Sequence, residues 1–232
     1  MSNGCVSLAL ITQAQGAAAE NDFLVQWAQE SDRAEAAKRT NPEIVRRFLL
    51  GRSLVRALIE RTTATDGRAC HIFVADNGKP FVTLASGEAG PAISISHSGA
   101  LVVAAATDLG MMGVDVEQHR SHRAFDDIAA FAFGPGEKQA ASATPGNFYR
   151  IWCLREAMSK ASGTGLAEVT DRIDRVHDAP GEGVWQTEDG ADRWLLTHLA
   201  PKAGYSLAVA IRRDASDDTV EWTENSIDLW WP

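Results

Sequence analysis

Trp152-Cys153-Leu154-Arg155-Glu156-Ala157-Met158-Ser159-Lys160-Ala161-Ser162-Gly163-Thr164-Gly165-Leu166 has the spacing of a helix with two unlike faces. At helical pitch Ile151, Leu154, Met158 and Ala161 share one apolar stripe, the pattern of a core-facing side. Trp152, Glu156, Lys160 and Gly163 recur on the far side at steps of three or four. A Glu and a Lys one turn apart make an ordinary surface pair. Beside a tryptophan and a glycine-rich exit they offer more than solvation requires. A second segment, Gly113-Val114-Asp115-Val116-Glu117, alternates like a strand, with Asp115 and Glu117 pointing one way and the two valines into the core. Together the segments supply three carboxylates and one lysine, a set suited to a hard cation and a phosphate.

Around these segments the pattern predicts a strand at 6–11 and a polar, Ala-rich helix at 20–38. An apolar helix at 42–61 opens on Asn41-Pro42, with proline in its first turn. Apolar runs at 71–75 and 81–84 flank the turn Asp76-Asn77-Gly78-Lys79-Pro80. Strands follow at 92–96, 101–107 and 113–117, then helices at 124–132, 136–142 and 147–162. Short strands are expected near 172–177, 183–187, 193–199, 205–211 and 219–222. The plan of one strand, then helices, then a run of strands, β-α-α-β-β-β in outline, therefore occurs twice. This is a mixed α+β chain whose join falls in Asp108-Leu109-Gly110-Met111-Met112, with no linker of low complexity between the halves.

A chain of 232 residues with 45% hydrophobic and 23% charged residues has the makeup of a soluble globular protein able to bury a real core. Its net charge of −9 argues against a nucleic-acid binder. The charge is uneven: eight Lys or Arg (33, 38, 39, 46, 47, 52, 56, 61) stand against three Glu between Arg33 and Arg61. Such a run suggests an anionic ligand or partner, and its exposed members read as a solvated helix face. Cys5, Cys70 and Cys153 lack metal-type spacing and fit reduced thiols. The N-terminal apolar run is too short for a signal peptide, and no stretch reaches transmembrane length. The expectation is a cytoplasmic protein with no membrane and no nucleic-acid partner.

Three further places carry candidate chemistry. Ile93-Ser94-Ile95-Ser96-His97-Ser98-Gly99 ends a strand in hydroxyls, an imidazole and turn N–H groups, all suited to phosphate oxygens. Ser96 and His97 are neighbours on a strand, point to opposite faces and do not make a nucleophile pair. Arg47 borders the stripe of Gly51, Leu54 and Leu58 and needs either an anionic partner or a route to water. Lys79 sits in the Gly78-Lys79-Pro80 turn. His119 and His122 lack a third ligand and read as surface residues.

These residues resemble the Sfp-type 4′-phosphopantetheinyl transferase family. Its two hallmark motifs, a G-[VI]-D-[VI]-E strand and a W-x-x-[KR]-E-[AS]-x-x-K-x-x-G-x-G-L helix, are similar to 113–117 and 152–166. The Arg-Phe-Leu-Leu-Gly-Arg segment at 47–52, the Gly-Lys-Pro turn, the Ser-His-Ser strand end and the run from Gly204 to Ala210 follow in family order. The resemblance implies two similar α/β halves packed pseudo-symmetrically with the active site between them. The N-terminal half, 1–109, would supply coenzyme A phosphate contacts, and the C-terminal half, 110–232, the metal carboxylates and catalytic helix. It implies transfer of the 4′-phosphopantetheine arm of coenzyme A to a serine of an apo acyl or peptidyl carrier protein, releasing 3′,5′-ADP. Asp115, Glu117 and Glu156 would hold Mg²⁺, with Mn²⁺ as an alternative. Glu156 and Lys160 would be catalytic, Glu156 helping to deprotonate the serine and Lys160 neutralising or protonating the leaving phosphate. Arg47, Lys79, Ser96, His97 and Lys160 would bind coenzyme A. The family habit also implies a monomer.

Two features depart from the family pattern. Arg155 stands where many members carry lysine and cannot readily shuttle a proton. The basic pair used by some members ahead of Arg47 has no clean match, with Arg33, Lys38 and Arg39 as candidates. A groove near Arg52 and Arg56 is a candidate docking surface for an acidic carrier protein. A metal-dependent phosphodiester hydrolase and a non-catalytic coenzyme A binder are the competing classes. The hydrolase predicts activity without a carrier, and the intact Asp115, Glu117, Glu156 and Lys160 argue against the binder.

Overall fold

The computed structural model describes residues 6–12, 18–121, 125–166, 183–189, 192–214 and 227–230. The strands expected at 172–177 and 219–222 lie outside these, as do Cys5 and His122. Among the described residues the class is α+β, as the sequence predicts. The fold divides into two compact units, one holding Cys5–Asp108 and Ile227–Pro232, the other Leu109–Ser226.

In the first unit β1 (Val6–Thr12) pairs antiparallel with β5 (Leu101–Thr107), and β5 pairs antiparallel with β4 (Ala92–Ser98). β10 (Ile227–Trp230) adds a parallel edge beside β1. β10 is not among the expected strands: it is four residues long and lies inside an acidic stretch. β5 is buried along its whole length, which matches its unbroken apolar run. A hairpin of β2 (His71–Val74) and β3 (Pro80–Thr83) closes through Asn77 and Gly78, whose φ is +83°.

The long helix α3 (Pro42–Thr62) starts where Asn41 Oδ1 accepts the Glu43 amide at 2.9 Å and Pro42 fills the first turn. Leu50, Leu54 and Leu58 are fully buried against the sheet, with Ile93, Val102 and Ala104 among their partners. Burial on this scale contributes about 2 kcal/mol per leucine. The single helix expected at 20–38 is instead two, α1 (Ala18–Trp27) and α2 (Glu30–Ala36). The break comes from a capping box: Asp32 Oδ2 accepts the backbone N–H of Gln29 at 3.1 Å and restarts the helix there.

The second unit follows the same plan of a strand, three helices and then strands, with three described strands after the helices where the first unit has four, β2 to β5. Its sheet runs β6 (Met111–Gln118), β9 (Tyr205–Asp214), β8 (Asp192–Leu199), β7 (Gly183–Asp189), all antiparallel. In both units the strand before the helices pairs antiparallel with the last strand of the run that follows them, β1 with β5 and β6 with β9. α4 (Phe125–Ala132) and α5 (Pro135–Ala143) precede the long helix α6 (Pro145–Ser162). α6 begins where Thr144 Oγ1 accepts the Asn147 amide at 3.1 Å and ends at Gly163, in the left-handed region at φ +72°.

Candidate active site

Alternation along β6 puts Gly113, Asp115 and Glu117 on one face and Val114 and Val116, both buried, on the other. The carboxylate face is not an open strand surface: α6 lies on it. Across the ladder Gly113 pairs with Ala210, Asp115 with Ala208 and Glu117 with Ser206, so small residues floor the contact. A Cβ at Gly113 would run into the carbonyl oxygen of Ala157 and come within 2.6 Å of the Ala161 amide nitrogen. Glycine here is what lets the helix descend onto the strand.

α6 is buried almost all round. Ile151, Leu154, Met158 and Ala161 are buried as predicted, but so are Cys153, Arg155 and Ala157. Trp152, Glu156, Ser159 and Lys160 form a half-buried strip along it, with Asn147 and Ser162 half-buried near its two ends. The helix runs antiparallel to β6, and two side chains of the strip reach down to the strand. Lys160 Nζ donates to Asp115 Oδ1 at 2.7 Å and to the carbonyl of Val114 at 3.1 Å. Trp152 Nε1–H donates to Glu117 Oε1 at 3.2 Å. Glu156 lies one helical turn from each of these contacts. The two segments singled out by spacing are therefore joined residue to residue.

Asp115 is 8% and Lys160 33% exposed at the side chain, so the pair is sheltered at one end and open at the other. Cys153 is packed beneath it, with its thiol 3.6 Å from the Ser206 carbonyl. Burial, reinforced by the charges of Asp115 and Glu117, pushes that thiol well above its ordinary range. Among the described residues no group of three or more His, Cys, Asp and Glu side chains is gathered as a metal site. Asp115 instead engages Lys160, and Glu117 engages Trp152.

His119 is not a loose surface residue. Its ring stacks on Tyr149 of α6 at 4.4 Å between centroids, and Nε2 lies 2.9 Å from Ser206 Oγ. Burial lowers its pKa from the ordinary histidine value. Tyr149 Oη accepts the Arg120 amide at 2.7 Å, which pins the end of β6 to the helix. His119 carried no sequence signal, because its partners come from α6 and β9. Arg155 is wholly buried against Glu137 of α5 and is withdrawn from any site chemistry.

In the first unit Arg47 Nη2 donates to the Gly99 carbonyl at 2.8 Å and also pairs with Glu43. Arg47 and the Ser-His-Ser-Gly strand end are thus brought together. Ser96 is buried and His97 exposed, as alternation requires. Lys79 lies half-buried in the β2–β3 turn. The rest of the basic run divides by exposure: Arg33, Lys38 and Arg61 are exposed, as expected of a solvated face, while Arg39 and Arg46 are half-buried and carry partners. Arg46 pairs with Glu20, Arg33 donates to the Leu24 carbonyl, and Lys38 pairs with Glu35. Arg39 lies 4.0 Å over the Phe48 ring. Arg52 and Arg56, expected beside a docking groove, are instead turned inward. Arg52 is 6% exposed and donates to the Ile72 carbonyl, while Arg56 is 1% exposed and binds Asp32 and the Cys70 carbonyl.

Residues 111–210 match the model of the 4′-phosphopantetheinyl transferase superfamily, and residues 15–109 match that of the 4′-phosphopantetheinyl transferase N-terminal region. The chain belongs to this family. Both motif segments fall inside the first match and the Arg47 helix inside the second. Among curated relatives, the 4′-phosphopantetheinyl transferase HetI of Nostoc sp. is 27% identical over 73% of this chain and 72% of its own. A 4′-phosphopantetheinyl transferase of Bacillus subtilis is 25% identical over 88% and 91%. The 4′-phosphopantetheinyl transferase Sfp of Bacillus subtilis strain 168 is 26% identical over 82% and 84%. The chain is accordingly a transferase enzyme of the Sfp type. Among the described residues no helix is long and apolar enough to cross a membrane.

Proposed function

We propose that this phosphopantetheinyl transferase moves the 4′-phosphopantetheine group of coenzyme A to a serine of an apo acyl or peptidyl carrier protein. The serine Oγ forms a bond to the pantetheine-bearing phosphorus, the pyrophosphate bridge breaks, and 3′,5′-ADP leaves. The observation that carries the reading is the joining of Asp115 to Lys160 and Glu117 to Trp152, with Glu156 one helical turn from each of those two helix residues.

Asp115, Glu117 and Glu156 are hard oxygen donors on a strand and the helix lying on it, and that chemistry fits Mg²⁺, with Mn²⁺ as an alternative. When bound, the ion neutralises pyrophosphate charge. Lys160 is 33% exposed at the side chain, so its ammonium can reach a phosphate at the open end of its pair with Asp115. Lys160 then meets the leaving phosphate, where it neutralises or protonates the departing oxygen. Glu156 takes the serine proton, directly or through water. Arg47, Lys79, Ser96 and His97 bind the coenzyme A phosphates. Positioning and charge neutralisation are the larger part of what transfer to phosphorus needs. We take the enzyme to act as a cytoplasmic monomer, since both family segments lie in one chain.

The test is intact-mass measurement of an apo carrier incubated with the protein, coenzyme A and Mg²⁺. One added phosphopantetheine, lost when EDTA is present, supports the reading. Coenzyme A cleavage without a carrier would point to a hydrolase. Glu156→Gln should lower kcat by at least about 100-fold while keeping the fold, and near-normal transfer would refute the role given to Glu156.

A further inference from the structure

The most deeply buried charges in the second unit do no chemistry of their own. Arg155 and Glu137 are both 0% exposed. Arg155 donates from Nε at 3.0 and 3.2 Å to the two Glu137 oxygens and from Nη2 at 2.7 Å to Oε1. Glu137 is the third residue of α5, and its Oε2 also accepts the Gly134 amide at 3.1 Å. The start of α5 thus already orients the carboxylate that Arg155 meets. Buried ion pairs add little net stability over an apolar pair of equal volume. What a planar fork against a carboxylate provides is orientation.

Orientation matters on this helix because Arg155 directly precedes Glu156, with Trp152 and Lys160 one turn to either side. A helix side chain extends about 5–6 Å from the axis, so a roll of about 20° moves its tip by about 2 Å. That is enough to break the 2.7 Å bond from Lys160 to Asp115. The first unit uses the same device. Asp32, third residue of α2, accepts the Gln29 amide and holds Arg56 of α3, with Nε at 3.1 Å and Nη2 at 2.9 Å. Each long helix is therefore keyed to the N-terminal turn of the helix before it.

We propose that Glu137 and Arg155 are positioning residues for catalysis, fixing the roll of α6 so that Glu156 and Lys160 face β6. The kinetic part of this rests on the transferase reading; the structural part does not.

Arg155→Lys and Arg56→Lys form a matched pair, each keeping the charge and losing the fork. Three quantities are measured: melting temperature, kcat and KM for coenzyme A, and the Trp152 indole N–H resonance, assigned by its loss in Trp152→Phe. Arg155→Lys should shift or broaden that resonance and lower kcat about 10- to 100-fold, with KM for coenzyme A within about two-fold. Arg56→Lys should leave the resonance and kcat at wild-type values even where its melting temperature falls as far. Glu137→Gln, which keeps the volume and one acceptor, should reproduce the Arg155→Lys signature and stands in if that variant fails to fold. Equal effects of the two arginine variants on kcat and on the resonance would overturn the proposal. So would a wild-type resonance in both Arg155→Lys and Glu137→Gln. If the wild-type chain transfers nothing, the transferase reading fails and the indole resonance still decides the positioning role.

Discussion

α3 and α6 lie on their sheets in the same way, yet only one of them covers charge. Each is the third helix of its unit, is entered through a proline in the first turn, and is locked by a buried arginine to the preceding helix. The strand beneath α3 presents Ala9 and Ile11 to the helix, an apolar contact. The strand beneath α6 presents Gly113, Asp115 and Glu117. The glycine that allows close packing has also changed sides. In the first unit it is Gly51 on the helix, where a Cβ would lie 2.8 Å from the Cγ2 of Ile95, a branched side chain that can shift only at some cost. In the second it is Gly113 on the strand, where the obstacle is helix backbone, which cannot. One scaffold thus yields a packing surface in one place and a candidate reactive surface in the other, according to what the underlying strand carries.

Substitution at the two glycines tests this contrast most severely. Gly113→Ala should lift α6 from β6, costing about 3 kcal/mol or more and lowering transfer at least about 100-fold. Thermal melting and the mass assay read both, and wild-type activity would break the comparison. Trp152→Phe keeps the ring packing and removes one hydrogen bond to Glu117. A loss of about 1 kcal/mol is expected, seen as a drop of about five-fold in kcat/KM. Gly51→Ala should cost about 1 kcal/mol, well short of Gly113→Ala, because Ile95 must shift its branched methyl while alanine's better helix preference offsets part of that. A melting point as low as that of Gly113→Ala would show that α3 is seated as rigidly as α6.

The buried thiols give the smallest effect. Cys70 and Cys153 are both free and buried, and burial raises the pKa of each. In a Cys5→Ser background neither should react with a disulfide reagent until the protein unfolds. A thiol raised in the folded state contributes stability that is complete below the unfolded value and is lost as pH climbs through the folded one. Alkaline destabilisation above about pH 9 should therefore be shallower in Cys70→Ala than in wild type. Identical slopes would remove Cys70 as a cause.

The parts legible in the sequence are those whose causes are local. Asn41-Pro42 announces α3, and the unbroken apolar run announces β5. The spacing of Trp152, Glu156 and Lys160 marks the strip of α6 left half-exposed. The parts that were not legible depend on partners distant in sequence. Charge on Arg52 and Arg56 reads as solvent-facing until Ile72, Asp32 and Cys70 supply the acceptors. The D-x-E face reads as open until α6 lies on it. Two carboxylates, Asp32 and Glu137, each cap their own helix and hold an arginine of the next. Only the first of these jobs has a sequence signature. His119 could not be placed without Tyr149 and Ser206.

β10 covers an edge that the first unit would otherwise leave open. β1 is flanked by β5 on one side and by Ile227–Trp230 on the other. Without β10 that flank would be a row of unpaired amide and carbonyl groups on an apolar strand, the kind of edge that recruits other chains. A four-residue strand far along the sequence thus decides whether the first sheet meets its surroundings with a closed flank or a sticky one.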